Sequence, residues 1–190
     1  MTEDLRADAR RNIRSILEAA ARVLADDPAA SMQAIADAAE VSRPTVYRRF
    51  ANREDLIEAI RDEAMAQAVE ALDTAAGSGE TGAAALEGLI EDLADIVARY
   101  PLLASLVGAQ PPRQKSPKPS DHMIKAFDAL IVRGRRDGTL RPDLRAETLG
   151  PVTMGALLLA LKAGSGAASD PREVGAEVAA IILGGARSAG

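Results

Sequence analysis

Apolar residues recur along this chain every three or four positions, the period of helices that bury one face. Ile13, Ile16, Leu17, Ala20 and Leu24 predict a first helix over about 8–25, closed by Asp27-Pro28. Met32, Ile35, Ala36 and Ala39 form a short stripe behind Ser31, a good N-cap, and predict a second helix ending near Ala39. Glu40-Val41 make a turn, and Ser42 caps a third helix. There Val46 and Phe50, four apart, share one face and can anchor the helix to a core. Pro44 falls in the first turn, where a missing amide proton costs little. Arg43, Thr45, Tyr47 and Arg48 are left to project elsewhere. Two short helices joined by a tight turn make a helix-turn-helix pattern. Glycine is more usual in such a turn, so if the position needs a positive φ, Glu40 is mildly strained.

The pattern stays helical to the end. Asn52 caps a fourth helix with Leu56, Ile57, Ile60, Ala64, Ala68 and Leu72 on its stripe, broken by the run 75–79. That helix is too long to belong only to the small amino-terminal unit and is expected to bridge to the rest. Leu86, Leu89, Ile90, Leu93, Ile96 and Val97 mark a fifth, which stops at Tyr100-Pro101, and 102–107 a short sixth. Pro111, Pro112, Pro117 and Pro119 make 110–120 unable to pack, and a mobile loop is expected there. A seventh helix carries Met123, Ile124, Phe127, Leu130 and Ile131 and ends at Asp137-Gly138; an eighth covers about 145–162, with a kink expected at Gly150-Pro151. Asp170-Pro171-Arg172-Glu173 starts a ninth, running to about Arg187. The reading is an all-α chain of about nine helices, divided into 1–52 and 53–190, with the bridging helix at about 53–75.

Composition narrows this. Apolar residues make up 47% of 190 positions and aromatics only 2%, which favours an Ala- and Leu-rich helical core over a β-sandwich. The absence of cysteine excludes a disulfide framework and thiolate metal sites. The charged start does not resemble a signal peptide, and the longest apolar stretch, 152–161, is too short to span a bilayer. A cytoplasmic protein with no membrane partner is expected.

The net charge of −5 at first disfavours nucleic acid, but its distribution does not. Over 10–53, eight arginines face five acids, a net +3, so the remainder sums to −8. An end of opposite sign to the body fits DNA contact by that end. The same arginines could instead be a solvated face.

The stripe Ile13-x-x-Ile16-Leu17-x-x-Ala20, the stretch Ile35-Ala36-Asp37-Ala38-Ala39-Glu40-Val41-Ser42, then Thr45-Val46-Tyr47-Arg48-Arg49-Phe50 and Asn52-Arg53-Glu54-Asp55-Leu56 together resemble the TetR family of transcriptional regulators. The likeness is close over 13–60; beyond it only the helix count and Arg99-Tyr100-Pro101 agree. The chain departs from the family's pattern at Glu40, usually Gly, and at Arg48-Arg49, often His or aromatic. The resemblance implies a three-helix DNA-binding domain before a helical body for ligand binding and dimerisation. It implies a homodimer on a pseudo-palindromic double-stranded operator, acting as a repressor that a small-molecule effector releases. Carried over by position, Arg43 and Pro44 face base edges, with Thr45 at the edge or on phosphate. Ser31, Gln33, Tyr47, Arg48 and Arg53 contact phosphates, and Ser42 belongs to the same face. Arg14 is a further phosphate candidate from the first helix.

In the body, Tyr100, Met123, Phe127 and Met154 are candidates to line an aliphatic effector pocket, chosen by helix position alone. Small residues in the last two helices (Gly150, Gly155, Gly175, Ala179, Gly184) allow close approach. They fit a dimer seam with Leu157, Leu161, Val178, Ile181 and Ile182 supplying buried area; intramolecular core is the competing reading. His122, the only histidine, is either a plain polar residue or a ligand contact, and Glu87, Glu91, Asp92 and Asp95 either a solvated face or a cation cluster. No nucleophile set, phosphate loop or metal spacing appears, so no enzyme, cofactor or metal is expected. The alternative is a helical small-molecule- or partner-binding protein whose DNA-binding head is degenerate.

Overall fold

The computed structural model describes residues 2–105, 120–164 and 170–186, with side chains from residue 12. The proline-rich stretch 110–119, expected as a loop, lies outside the described residues. The order is α1 (Thr2–Asp26), α2 (Met32–Ala38), α3 (Arg43–Arg49), α4 (Arg53–Gly77), α5 (Gly82–Arg99), α6 (Leu102–Ser105), α7 (Asp121–Arg136), α8 (Ala146–Gly164) and α9 (Pro171–Ala186), with no strand among the described residues. The N-caps follow the sequence: side-chain oxygens of Ser31, Ser42, Asn52, Thr81 and Ser120 each accept the amide three residues on. α1 starts six residues before the position read from its apolar stripe. Its first turns carry Leu5 as their one large apolar residue among charged ones, so periodicity could not locate that start. None of the described helices is long and apolar enough to cross a membrane.

Two apolar cores form along α4. The first joins α1, α2 and α3 to the near half of α4 through Ile16, Leu24, Ile35, Val46, Leu56 and Ile60, and also takes in Ile96, Tyr100 and Leu102. The second packs the far half of α4 with α5, α7, α8 and α9 around Leu86, Ile90, Leu130, Ile131 and Leu157. Each such fully buried side chain contributes about 1.5–3 kcal/mol from water removal. α5 is the centre of this second layer because glycines let its neighbours in. A Cβ on Gly82 would stand 2.3 Å from the Gly134 backbone of α7, and one on Gly175 would stand 2.9 Å from Ala94 Cβ and Glu91 Cα.

Burial corrects part of the expected dimer seam. Leu157 and Val178 are buried in the chain's own core, and Gly175 and Ala179 face α5. Leu161 and Ile182 are half-buried against the same core. The small-residue stripe was therefore two stripes: Gly175 and Ala179 turn inward, whereas Gly155 and Gly184 have open space at Cβ. Ile181 alone of the five named residues stands out, at 76% exposure, and Val152 and Leu159 of α8 join it.

Candidate nucleic-acid interface

The α2–α3 turn is closed by the Glu40 amide on the Asp37 carbonyl (3.1 Å) and the Val41 amide on the Ala36 carbonyl (3.0 Å). This bond pair needs a left-handed residue at its first position. That residue is Glu40, with φ 54°, so the strain the sequence raised is present. The turn delivers the chain to Ser42, whose Oγ accepts the Thr45 amide (3.3 Å) and lies 2.8 Å from Thr45 Oγ1. Val46 and Phe50 are buried and fix α3 on the first core.

What α3 leaves outside is cationic. Arg43, Pro44, Tyr47, Arg48 and Arg49 are exposed, and Thr45 is partly so. Among the described residues, no carboxylate pairs with Arg43, Arg48 or Arg49. The Arg43 guanidinium lies over the Tyr47 ring, 5.2 Å from its centroid, and its Nη2 donates to Tyr47 Oη at 3.5 Å. Ser31 and Gln33 are exposed beside this face; Ser31 caps α2, and Gln33 Nε2 donates to Asp37 Oδ1 (2.7 Å). These outward groups are donors of the kind that meet phosphate and base edges.

Two expected phosphate contacts sit differently. Arg53 turns inward and donates to the Ala30 (3.0 Å) and Pro28 carbonyls, clamping the α1–α2 loop to the start of α4. Arg14 donates from Nε to Glu63 Oε1 of α4 (2.8 Å). Glu63 also accepts from Gln67 Nε2 (2.8 Å), which donates in turn to the Tyr100 hydroxyl (2.8 Å). Burial pushes the Tyr100 phenol up to about 12, helped by the nearby Glu63 charge. This chain of hydrogen bonds, exposed at Arg14 and buried at Tyr100, ties head to body at α4. Its signal in the sequence was a glutamine seven residues after Ile60, on the apolar stripe.

The four effector-pocket candidates do not converge. Tyr100 is fully buried in the first core with its hydroxyl engaged. Met123 and Phe127 pack half-buried on the second core, Phe127 beside Gly150 of α8, and Met154 is half-buried on α8. A polar groove of about 300 Å³ lies instead between α4 and α5, lined by Arg14, Gln67, Asp92, Asp95, Arg99 and Arg172, and by none of these four. The acidic run on α5 grips Arg172, which reaches Asp92 (2.6 Å), Asp95 (2.8 Å) and Glu91 (3.6 Å). His122 Nε2 meets Asp73 Oδ1 at 2.7 Å, joining α7 to α4. Among the described residues no cluster could hold a metal ion.

Residues 16–60 match the family model described as bacterial regulatory proteins, tetR family. No protein of curated function matches the chain. The fold is shared with the TetR transcriptional regulator SCO0520 of Streptomyces coelicolor at 23% identity and TM-score 0.66, over 94% of this chain and 99% of that one. The fatty acid degradation regulator FadR of Bacillus halodurans gives 21% and 0.67, covering 92% and 95%. The TetR-like regulator LfrR of Mycobacterium smegmatis, solved with proflavine, gives 23% and 0.61, covering 92% and 96%. The helix-turn-helix head, residues 16–60, is thus similar in sequence to bacterial regulatory proteins of the tetR family, and the chain shares the fold of solved TetR regulators along nearly all its length.

Proposed function

We propose that the protein is a dimeric, effector-released repressor that reads a pseudo-palindromic operator through α3. The observation that carries this reading is the outward face of α3, whose three arginines have no carboxylate partner among the described residues while its apolar side is anchored. Ser31, Gln33, Ser42, Thr45 and Arg48 supply donors around it, and the α3 pair of a dimer would enter major grooves about 34–36 Å apart or a multiple of that. Val152, Leu159 and Ile181 beside the open Gly155 and Gly184 give a second copy an apolar face to cover. FadR, a fatty acid degradation regulator, and LfrR, solved with proflavine, share this fold, and that likeness supports a small-molecule effector for this chain.

The test is selection of binding sites from a random duplex library by the purified protein, followed by salt titration and sedimentation. A pseudo-palindromic motif, a steep loss of affinity with salt and a mass twice the 19.8 kDa chain are expected. Weak binding that ignores sequence would instead favour a helical partner-binding protein with a degenerate head.

A further inference from the structure

Of the three arginines on α3, Arg43 alone has its guanidinium held by another side chain among the described residues. It stacks on Tyr47 one helical turn away and its Nη2 reaches the phenol oxygen. Arg48 and Arg49 make no such contact among the described residues. The contact over the ring uses the face of the guanidinium, so its in-plane N–H groups other than the one turned to the phenol stay free to meet a base edge. A stacked arginine has also already lost part of its rotamer entropy before DNA arrives. Tyr47 is 41% exposed, so more than half of its surface is covered on a face that otherwise meets solvent.

We propose that Arg43 and Tyr47 act as one reading unit: Tyr47 is a positioning residue that presents the Arg43 fork to the O6 and N7 of a guanine. This rests on the DNA-binding reading above and adds to it the base and the residue that sets its selectivity. Tyr47 was expected on a phosphate, and the two roles separate cleanly. A phosphate contact through the hydroxyl helps every sequence alike. A positioning contact through the ring changes the preference at one base pair.

The experiment repeats the site selection with wild type, Arg43→Ala, Tyr47→Ala and Tyr47→Phe, with helicity checked by circular dichroism. Arg43→Ala identifies the motif column that Arg43 reads. Guanine should be preferred there by about 5- to 150-fold in the wild type, the range of a good bidentate pair. Tyr47→Ala should flatten that same column at least roughly three-fold while leaving the others, and Tyr47→Phe should keep it because the ring remains. Were Tyr47→Ala and Tyr47→Phe to weaken all sequences equally with the guanine preference intact, Tyr47 would be a phosphate contact only and the proposal overturned. A column preferring another base would overturn it too. If the wild type selects no motif, the DNA-binding reading fails, and this proposal with it.

Discussion

The outward face of α3 and the helix junctions of the body use their arginines in different ways. In the body, guanidinium groups close the fold: Arg172 fastens α9 to three acids of α5, and Arg133 donates to the Ala75 and Ser78 carbonyls at the end of α4. Asp137 does the same with opposite sign, accepting the Gly82 amide at 2.7 Å. On α3, Arg43, Arg48 and Arg49 have no such carboxylate or carbonyl among the described residues to close on. Arginines with internal carboxylate or carbonyl partners mark structure; what sets α3 apart is that three without one among the described residues share a single seven-residue helix, whereas Arg61, Arg136 and Arg145 are scattered. Arg53 shows that composition alone cannot tell the two apart, since it sits on the head and yet clamps a loop.

That contrast can be broken from the body side first. Gly82→Ala drives a methyl group into the Gly134 backbone, so α5 must move off α7. A loss of roughly 3 kcal/mol is expected in urea unfolding, at the upper end of overpacking costs. The junction comes next. Tyr100→Phe leaves a Gln67 N–H without its buried acceptor and should cost about 1–3 kcal/mol. It also changes the alkaline profile. Tyr100 titrates near 12 in the fold against 10.0 ordinarily, so its contribution is whole below pH 10 and is lost as pH rises towards 12. Thermal unfolding should show that decline in the wild type and a weaker one in Tyr100→Phe.

The head responds in the other direction. Arg48→Ala should leave unfolding unchanged, weaken binding to all duplexes alike and reduce the salt slope by about one. Glu40→Gly relieves the left-handed residue at φ 54° and should raise stability by about 1 kcal/mol. Arg172→Gln sharpens the comparison with the smallest effect. It should lower the melting temperature slightly at low salt, scarcely at high salt, and leave DNA affinity as it was, because the side chain is half exposed.

Much of the head was legible in the sequence because its signals are local. Ser31, Ser42 and Asn52 cap the helices they were assigned, and Val46 and Phe50 are buried as their spacing required. The body was legible as helices but not as faces. Leu157 and Val178 look like Ile181 in sequence, and only the packing of α8 and α9 on α5 decides which side faces inward. Contacts between residues distant in sequence left the weakest trace. Nothing near Arg53 shows that two carbonyls more than twenty residues earlier will take its N–H groups. Nor does Tyr100 show locally that it belongs to the head's core.

The most direct test of the outward-face account is amide hydrogen exchange on the protein, free and bound to its selected duplex. The account predicts new protection at residues 31–34 and 42–49, with the exposed faces of α8 and α9 unchanged at fixed protein concentration. Protection confined to the α4–α5 groove or to α8 and α9, with α3 exchanging as in the free protein, would contradict it.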